Sequence, residues 1–157
     1  MRLVCSVTII LTATIMLVGS SSPRNKTTES DTSTIVGLWD TGDGAHVEIY
    51  SHENKYNGKF IYFYDDPPAN GIDSKNPDPA LRDRSLIGTD FIVNFEFIEE
   101  KWKHGRIYNP ENGKYYKADL ELKNGILKVR GWIGFRLLGR TVEWTRLERT
   151  EITRKST

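Results

Sequence analysis

From residue 35 onward, apolar side chains recur at every second position, and short turn signals interrupt the alternation. This pattern is typical of half-buried strands, and it predicts about eight of them, at residues 35–40, 45–51, 56–64, 90–98, 101–108, 115–122, 126–132 and 141–147. Asp43-Gly44 and Asn124-Gly125 are turn pairs that reverse a chain tightly. No long helical pattern accompanies them. The chain is therefore predicted to be all-β.

An antiparallel meander without a covering helix must close or stack to bury its apolar sides and its edges. We therefore predict an up-and-down barrel of about eight strands with one long loop between the third and fourth, and a two-sheet sandwich is the alternative. Alternation assigns these side chains to the interior: Val47, Ile49, Phe60, Tyr62, Tyr64, Phe91, Val93, Phe95, Phe97, Tyr116, Ala118, Leu120, Leu122, Leu127, Val129, Val142 and Trp144. So many large side chains indicate little interior space.

The first 22 residues have the layout of an export signal, with Arg2 followed by an apolar run and then small residues. Residues 23–34 are interpreted as a flexible polar linker, 35–149 as the barrel domain and 150–157 as a polar tail. The single cysteine, Cys5, lies inside the apolar run, so the exported chain has no thiol. We expect a periplasmic or secreted protein with no stable membrane insertion after the signal is cleaved.

The charge balance limits the classes of partner. Arg2 is the only charged residue among the first 22, so the exported chain carries 21 basic and 21 acidic side chains. This gives no overall basic excess of the kind that nucleic-acid or anionic-membrane binding requires, and no nucleic-acid partner is predicted. His46 and Glu48 share a strand face, but no third metal ligand has a recognisable spacing. We predict no metal, no cofactor and no catalytic residues.

Two short motifs at the ends of the meander predict how it closes. Gly37-Leu38-Trp39 opens the first strand, and Arg146 lies in the last one, so barrel closure brings them side by side. An arginine packed across the indole of a Gly-x-Trp motif resembles the closing arrangement of lipocalins and their relatives. Trp39 and Arg146 are therefore the predicted barrel-closing pair. The alternative is that Trp39 is an ordinary core aromatic.

Several later motifs occur in a recognisable order: Asn76-Pro77-Asp78-Pro79-Ala80-Leu81-Arg82-Asp83-Arg84, Leu86-Ile87-Gly88, Trp102-Lys103-His104-Gly105-Arg106-Ile107-Tyr108-Asn109-Pro110, Val129-Arg130-Gly131-Trp132-Ile133-Gly134 and Gly139-Arg140-Thr141-Val142-Glu143-Trp144-Thr145-Arg146. Together they resemble the exported bacterial family catalogued as domain of unknown function 2147, from Gly37 to Arg146. The resemblance implies an exported, barrel-like protein. It implies no particular activity, because the family has none to transfer.

The segment 65–88 has almost no periodicity, although it joins two strong strand candidates. Loops of this length in small domains are often functional. Asp78-Pro79 predicts a single helical turn over residues 79–84, which would present Arg82 and Arg84. The segment is either a structural plug held by its own acids or a lid over a ligand. In both cases we expect it to fold over one barrel end, anchored by Leu81, Leu86 and Ile87.

Three classes of function remain open. The first is a binding protein for a small, partly apolar or acidic ligand at the barrel mouth. Its candidate ligand-binding residues are Asn76, Asp78, Arg82, Arg84, Arg106, Tyr108, Arg130 and Trp132. The second is a cell-envelope interaction protein with a filled barrel, in which Tyr108, Tyr115 and Trp132 contact an envelope protein or a cell-wall polymer. The third is an enzyme built around His104, Arg106 or Asp83, although the sequence contains no recognised catalytic motif.

Overall fold

The computed structural model describes residues 34–148 and contains nine strands there. The predicted signal, nearly all of the linker and the polar tail lie outside the described residues. The strands are β1 (Gly37–Asp40), β2 (Ala45–His52), β3 (Lys55–Phe63), β4 (Asp90–Ile98), β5 (Lys101–Lys103), β6 (Arg106–Asn109), β7 (Lys114–Lys123), β8 (Ile126–Trp132) and β9 (Arg140–Leu147). In this part of the chain the helical segments are three short 3-10 turns, and no helix could span a membrane.

The strands form a closed antiparallel barrel, as predicted, and the sandwich alternative is wrong. Strands that follow each other along the chain pair antiparallel, apart from β5 and β6, and β9 returns to pair with β1. The short strands β5 and β6 both lie between β4 and β7, so together they occupy one strand position. The barrel is therefore eight-stranded, with the fifth position divided in two.

The division of the predicted strand 101–108 has a local cause. His104 adopts a left-handed backbone conformation with φ of 63°, and Gly105 follows it. A Cβ on Gly105 would lie 2.1 Å from the ring of Phe95, a distance that no real contact allows. Phe95 is fully buried, so its ring occupies the space that a side chain at residue 105 would need. The chain breaks its ladder here so that a large core ring can pack against bare backbone.

The core follows the predicted alternation except near strand ends and bulges. Tyr64 and Phe97, predicted to point inward, are 41% and 53% exposed because they lie at the rims of the barrel. A register shift between His46 and Val47 places Tyr62 opposite His46, and the two rings lie 5.5 Å apart. The buried apolar core is Ile35, Trp39, Ala45, Val47, Ile49, Phe60, Leu86, Phe91, Ile92, Phe95, Trp102, Tyr108, Ala118, Leu120, Leu127, Val129 and Trp144.

One end of the barrel, where the β2–β3, β4–β5 and β7–β8 turns lie, is closed by the first and last strands. The Arg146 guanidinium lies 4.4 Å from the centre of the Trp39 ring, and it donates hydrogen bonds to the carbonyls of Val36 and Thr34. A Cβ on Gly37 would lie 2.7 Å from Nη1 of Arg146, so the glycine provides the room that the guanidinium needs. The opposite end carries the β1–β2, β6–β7 and β8–β9 connections and the long 65–88 loop.

Candidate functional site

A cavity of about 660 Å³ opens at the end of the barrel opposite the Trp39–Arg146 closure. Its lining is Thr41, Asp43, Gly44, Ala45, Phe60, Phe63, Asp66, Pro68, Phe91, Ile107, Tyr108, Asn109, Pro110, Glu111, Tyr116, Val129, Gly131, Trp132, Ile133, Leu138, Arg140, Val142 and Trp144. The core residues Trp39, Phe95 and Trp102 are absent from this lining. The closed half of the barrel is therefore filled, and the cavity is an open depression at the other end, where its deepest rings, Phe91 and Trp144, are each 4% exposed.

Aromatic rings form much of the cavity wall. Phe60 and Phe91 stack with ring centroids 3.9 Å apart and planes 14° from parallel. Phe63 lies 5.1 Å from Phe60, and Trp144 lies 6.1 Å from Phe91. Alternation points Phe60, Phe91 and Trp144 inward from β3, β4 and β9. Phe63, three residues after Phe60, can share its face because the pairing of β3 with β2 shifts by one residue between them. The inner part of the cavity wall is therefore aromatic, whereas polar and charged side chains such as Asp43, Glu111 and Arg140 complete the lining.

Tyr108, on β6, is part of the same wall and is 1% exposed. Its hydroxyl donates a hydrogen bond to Oδ1 of Asp73 in the long loop. Burial, and next the hydrogen bond to the Asp73 carboxylate, raise the pKa of Tyr108 far above its usual value of 10. The hydroxyl therefore stays protonated and engaged, and the buried Tyr108 side chain supports the cavity wall.

Asp73 organises the 65–88 loop from within. The carboxylate is fully buried, and its Oδ2 accepts hydrogen bonds from Nδ2 of Asn76 at 2.6 Å and from Nε of Arg84 at 2.9 Å. Nη2 of Arg84 lies 2.8 Å from the same oxygen. Arg82 donates from Nε to the carbonyl of Asn76 at 2.8 Å. The two loop arginines thus hold the loop to itself, which is the arrangement that the structural-plug interpretation predicts.

The loop is also anchored to the barrel, although by fewer side chains than predicted. Leu86 is fully buried, whereas Leu81 and Ile87 are 37% and 46% exposed. The Gly88 amide donates to the Phe60 carbonyl at 2.8 Å. A Cβ on Gly113 would lie 1.9 Å from the Lys75 carbonyl oxygen, so the loop rests directly on the β6–β7 turn. The predicted turn at Asp78 is present but short, since the 3-10 segment spans Pro79–Leu81.

The structure separates the predicted ligand-binding residues into three groups. Tyr108 and Trp132 line the cavity. The loop residues Asn76, Asp78, Arg82 and Arg84 do not line it. Arg106 stacks on Tyr115 at 4.5 Å, and Arg130 donates to the Thr141 hydroxyl and the Arg136 carbonyl. Their role in ligand binding stays a prediction, but only the first group touches the cavity.

Four charged residues of the cavity lining were not predicted: Asp43, Asp66, Glu111 and Arg140. Each lies in or beside a connection at the open end. Alternate connections of an antiparallel meander lie at the same end of a barrel, so the sequence could have indicated that these four residues lie near one another. Within residues 34–148, no group of three or more His, Cys, Asp or Glu side chains is arranged to hold a metal ion.

A smaller charged cluster lies at the closed end. Glu96 pairs with Lys55 and accepts a hydrogen bond from Nδ1 of His104 at 3.0 Å. Lys55 and next His104 lower the pKa of the Glu96 carboxyl below its usual value of 4.5. The predicted catalytic alternative needs a cleft in which His104, Arg106 or Asp83 converge. None of these three residues lines the cavity at the open end.

The barrel is similar to one solved structure, and the sequence matches one protein family. Protein HP1028 from the human pathogen Helicobacter pylori, whose solved structure is described as belonging to the lipocalin family, has a TM-score of 0.69 and 26% sequence identity. The match covers 77% of this chain and 88% of that one. No curated protein sequence matches this chain. The family of uncharacterised proteins conserved in bacteria, domain of unknown function 2147, matches residues 37–146. The chain therefore belongs to this family, and its barrel is lipocalin-like.

Proposed function

We propose that the protein is an exported binding protein that holds a small, largely apolar molecule in the cavity at the open end of the barrel. The observation that carries this proposal is the cavity of about 660 Å³ walled by stacked aromatic rings. Ligand sites are commonly apolar hollows of about 300–1,000 Å³ with a few polar groups. Eight-stranded barrels of the lipocalin type have room for one small ligand.

The charges around the cavity favour a neutral or cationic ligand over an acidic one. Three carboxylates, Asp43, Asp66 and Glu111, belong to the lining, and Arg140 is the only basic residue there. Their sum is negative, so an anion entering the cavity is repelled more than it is attracted. The arginines that were candidates for binding an acid, Arg82 and Arg84, are instead engaged within the loop.

Recognition in this cavity relies on shape and on aromatic surface. The Tyr108 hydroxyl is engaged by Asp73, and the Tyr116 hydroxyl accepts a hydrogen bond from Asn112 at 2.8 Å. The Tyr108 proton is therefore engaged, whereas the Tyr116 hydroxyl, which only accepts, keeps its proton to donate to a ligand. Burial of apolar ligand surface in the cavity contributes about 25 cal/mol to the binding free energy for each Å² removed from water.

Titration with N-phenyl-1-naphthylamine, a neutral apolar dye that fluoresces in apolar sites, tests the proposal. Val142 lines the cavity and Leu122 does not, although both are half-buried strand residues packed against the core. Val142→Trp should fill the cavity and weaken dye binding at least about tenfold, as a loss of roughly 1.4 kcal/mol requires. Leu122→Trp, the matched control, should leave binding unchanged. Equal binding by both variants would show that the dye sits elsewhere.

The alternative of an envelope interaction protein keeps less support. It required a filled barrel without a cavity, whereas a cavity opens at one end of this barrel. It also used Tyr108 as a surface anchor, and that residue is 1% exposed. Tyr115 is 41% exposed and remains suitable for such a contact. If the protein binds neither the dye nor any native small molecule, crosslinking at Tyr115 is the experiment that tests this alternative.

A further inference from the structure

The connection between β8 and β9, here called the 133–138 loop, exposes apolar side chains at the open end. Phe135, Leu137 and Leu138 are 80%, 88% and 80% exposed, and Ile133 is 58% exposed. Every other large apolar side chain of the described residues is less exposed than these four. Contiguous exposed apolar groups of this size mark a surface that something else covers.

Basic residues surround this loop. Arg136 lies within it, with its guanidinium 5.4 Å from the centre of the Trp132 ring and paired with Asp119. Strand pairing places Lys117 opposite Trp132 and Arg140 opposite Gly131. Arg130 adds a further cation, because it donates to the Arg136 carbonyl. Asp119, paired with Arg136, is the acid beside them, whereas Asp43, Asp66 and Glu111 belong to the other connections of this end. The positive charge is therefore local to the strands that carry the loop. The apolar tip is therefore flanked by cations on the strands that support it.

We propose that the 133–138 loop docks the protein on a phospholipid surface that contains anionic lipids. Phe135, Leu137 and Leu138 enter the boundary between headgroups and acyl chains, while Arg136 and Arg140 contact the phosphates. Projecting apolar residues beside cationic ones are the combination that binds such interfaces, because the apolar groups leave water and the cations are attracted to the anionic headgroups. Tryptophan, here Trp132, is enriched at the same depth.

The placement of the loop gives docking a consequence for the cavity. Ile133 and Leu138 belong both to the exposed loop and to the cavity lining. Docking therefore turns the mouth of the cavity toward the lipid, where apolar molecules are dissolved. The docking itself needs no ligand, so it stands or falls independently of the proposed binding function. If both hold, the cavity exchanges its ligand with the membrane directly.

Vesicle sedimentation tests the docking. The protein, purified from an exporting host with its amino terminus determined by mass, is mixed with vesicles of phosphatidylcholine, with or without a third of phosphatidylglycerol. We expect binding to the anionic vesicles, and weaker binding at high salt. Phe135→Ser with Leu137→Ser should reduce partitioning about tenfold or more. Neither residue lines the cavity, so dye binding by this variant should not change.

Phe97→Ser is the matched control, because Phe97 is 53% exposed and lies at the opposite end of the barrel. It should bind vesicles as the unaltered protein does. The absence of binding to anionic vesicles, or equal binding by the double serine variant, would overturn the proposal. A dimer that the double serine variant dissociates, seen by light scattering with no vesicle binding, would assign the loop to a second copy of the chain instead.

Insertion can also be measured directly. The only cysteine of the sequence is Cys5, in the predicted signal, so one introduced cysteine is unique in the exported chain. Leu137→Cys, labelled with a polarity-sensitive dye, should shift its emission to the blue on anionic vesicles. Phe97→Cys with the same label should not. A shift at residue 97 alone, or at neither residue, would contradict insertion of the loop.

Discussion

The Tyr108 hydroxyl and the Asp73 carboxylate meet at 2.5 Å, across a separation of 35 residues in the chain. Tyr108 belongs to the cavity wall, and Asp73 is the fully buried centre of the 65–88 loop. The contact therefore connects the packing of the loop to the shape of the cavity. The long insertion acts as a structural support for the wall beside the mouth.

Removal of the Asp73 charge should destabilise the protein strongly. Asp73→Asn keeps the shape but replaces an acceptor of Asn76 and Arg84 by a group without charge, and donors left poorly satisfied in this way cost about 1–3 kcal/mol. Tyr108→Phe should cost about 1–2 kcal/mol, because one hydrogen bond to a charged group is lost. Urea unfolding measures both. Tyr116→Phe, whose hydroxyl bonds to an exposed turn residue, is the control and should cost less than about 1 kcal/mol. Equal effects at the two tyrosines would contradict the role of Asp73.

The loop arginines should affect stability and not ligand binding. Arg82→Ala with Arg84→Ala removes hydrogen bonds to Asn76 and Asp73 and leaves a buried carboxylate poorly paired. We expect the melting temperature to fall by several degrees with dye affinity unchanged per folded molecule. Arg106→Ala, which removes a stacking contact on Tyr115, should cost less than about 1 kcal/mol. Lost dye binding with unchanged melting would restore the lid interpretation.

Gly105 should tolerate no side chain. Gly105→Ala forces a Cβ to within 2.1 Å of the Phe95 ring, and overpacking of this kind costs about 3 kcal/mol. Gly125→Ala is the control: its φ is +77° and nothing lies within 4 Å, so only backbone strain of about 1 kcal/mol is expected. Phe95→Leu combined with Gly105→Ala should be more stable than the sum of the two single effects. If urea unfolding shows that the free-energy changes of the two single variants simply add in the double variant, the clash must be relieved in another way.

Acid should remove part of the stability through Glu96. Its pKa is lowered in the folded protein, by Lys55 first and His104 second, from a usual value of 4.5. A lowered folded pKa contributes stability above the unfolded pKa, and this contribution disappears as the pH falls through the folded pKa. The difference in urea midpoint between the unaltered protein and Glu96→Gln should therefore be largest at pH 7 and shrink below about pH 4.5. Glu100→Gln, at an exposed acid of the neighbouring turn, should show no such change. A difference that is constant with pH would contradict the pairing.

Alternation predicted the barrel and most of its strands. Each strand has one side in the core, so its own residues alternate between apolar and polar and can be recognised without knowledge of the other strands. β4 and β8 begin and end where the sequence indicates. The division between β5 and β6 could not be predicted, because it depends on the Phe95 ring from another strand. The exposure of Phe97 likewise depends on its distance from the barrel end, which alternation does not give.

The candidate site was harder to predict for a related reason. A cavity is the space that inward side chains fail to fill, and that space depends on all eight strand positions together. Arg82 and Arg84 attracted a ligand-binding interpretation because arginine pairs bind anions, yet their carboxylate partner lies in the same loop. Sequence alone shows both the arginines and Asp73 but not which of them meet. The rim acids were visible as residues, but only barrel closure brings their connections together.

The central claim, that the open half of the barrel holds a small molecule, is tested most directly by native mass spectrometry. The protein is purified gently from an exporting host and compared with its denatured mass. The account predicts a reproducible extra mass that is lost on denaturation, present in the unaltered protein and in Leu122→Trp, and absent in Val142→Trp. A bare mass for the unaltered protein, or an extra mass retained by Val142→Trp, would contradict the claim.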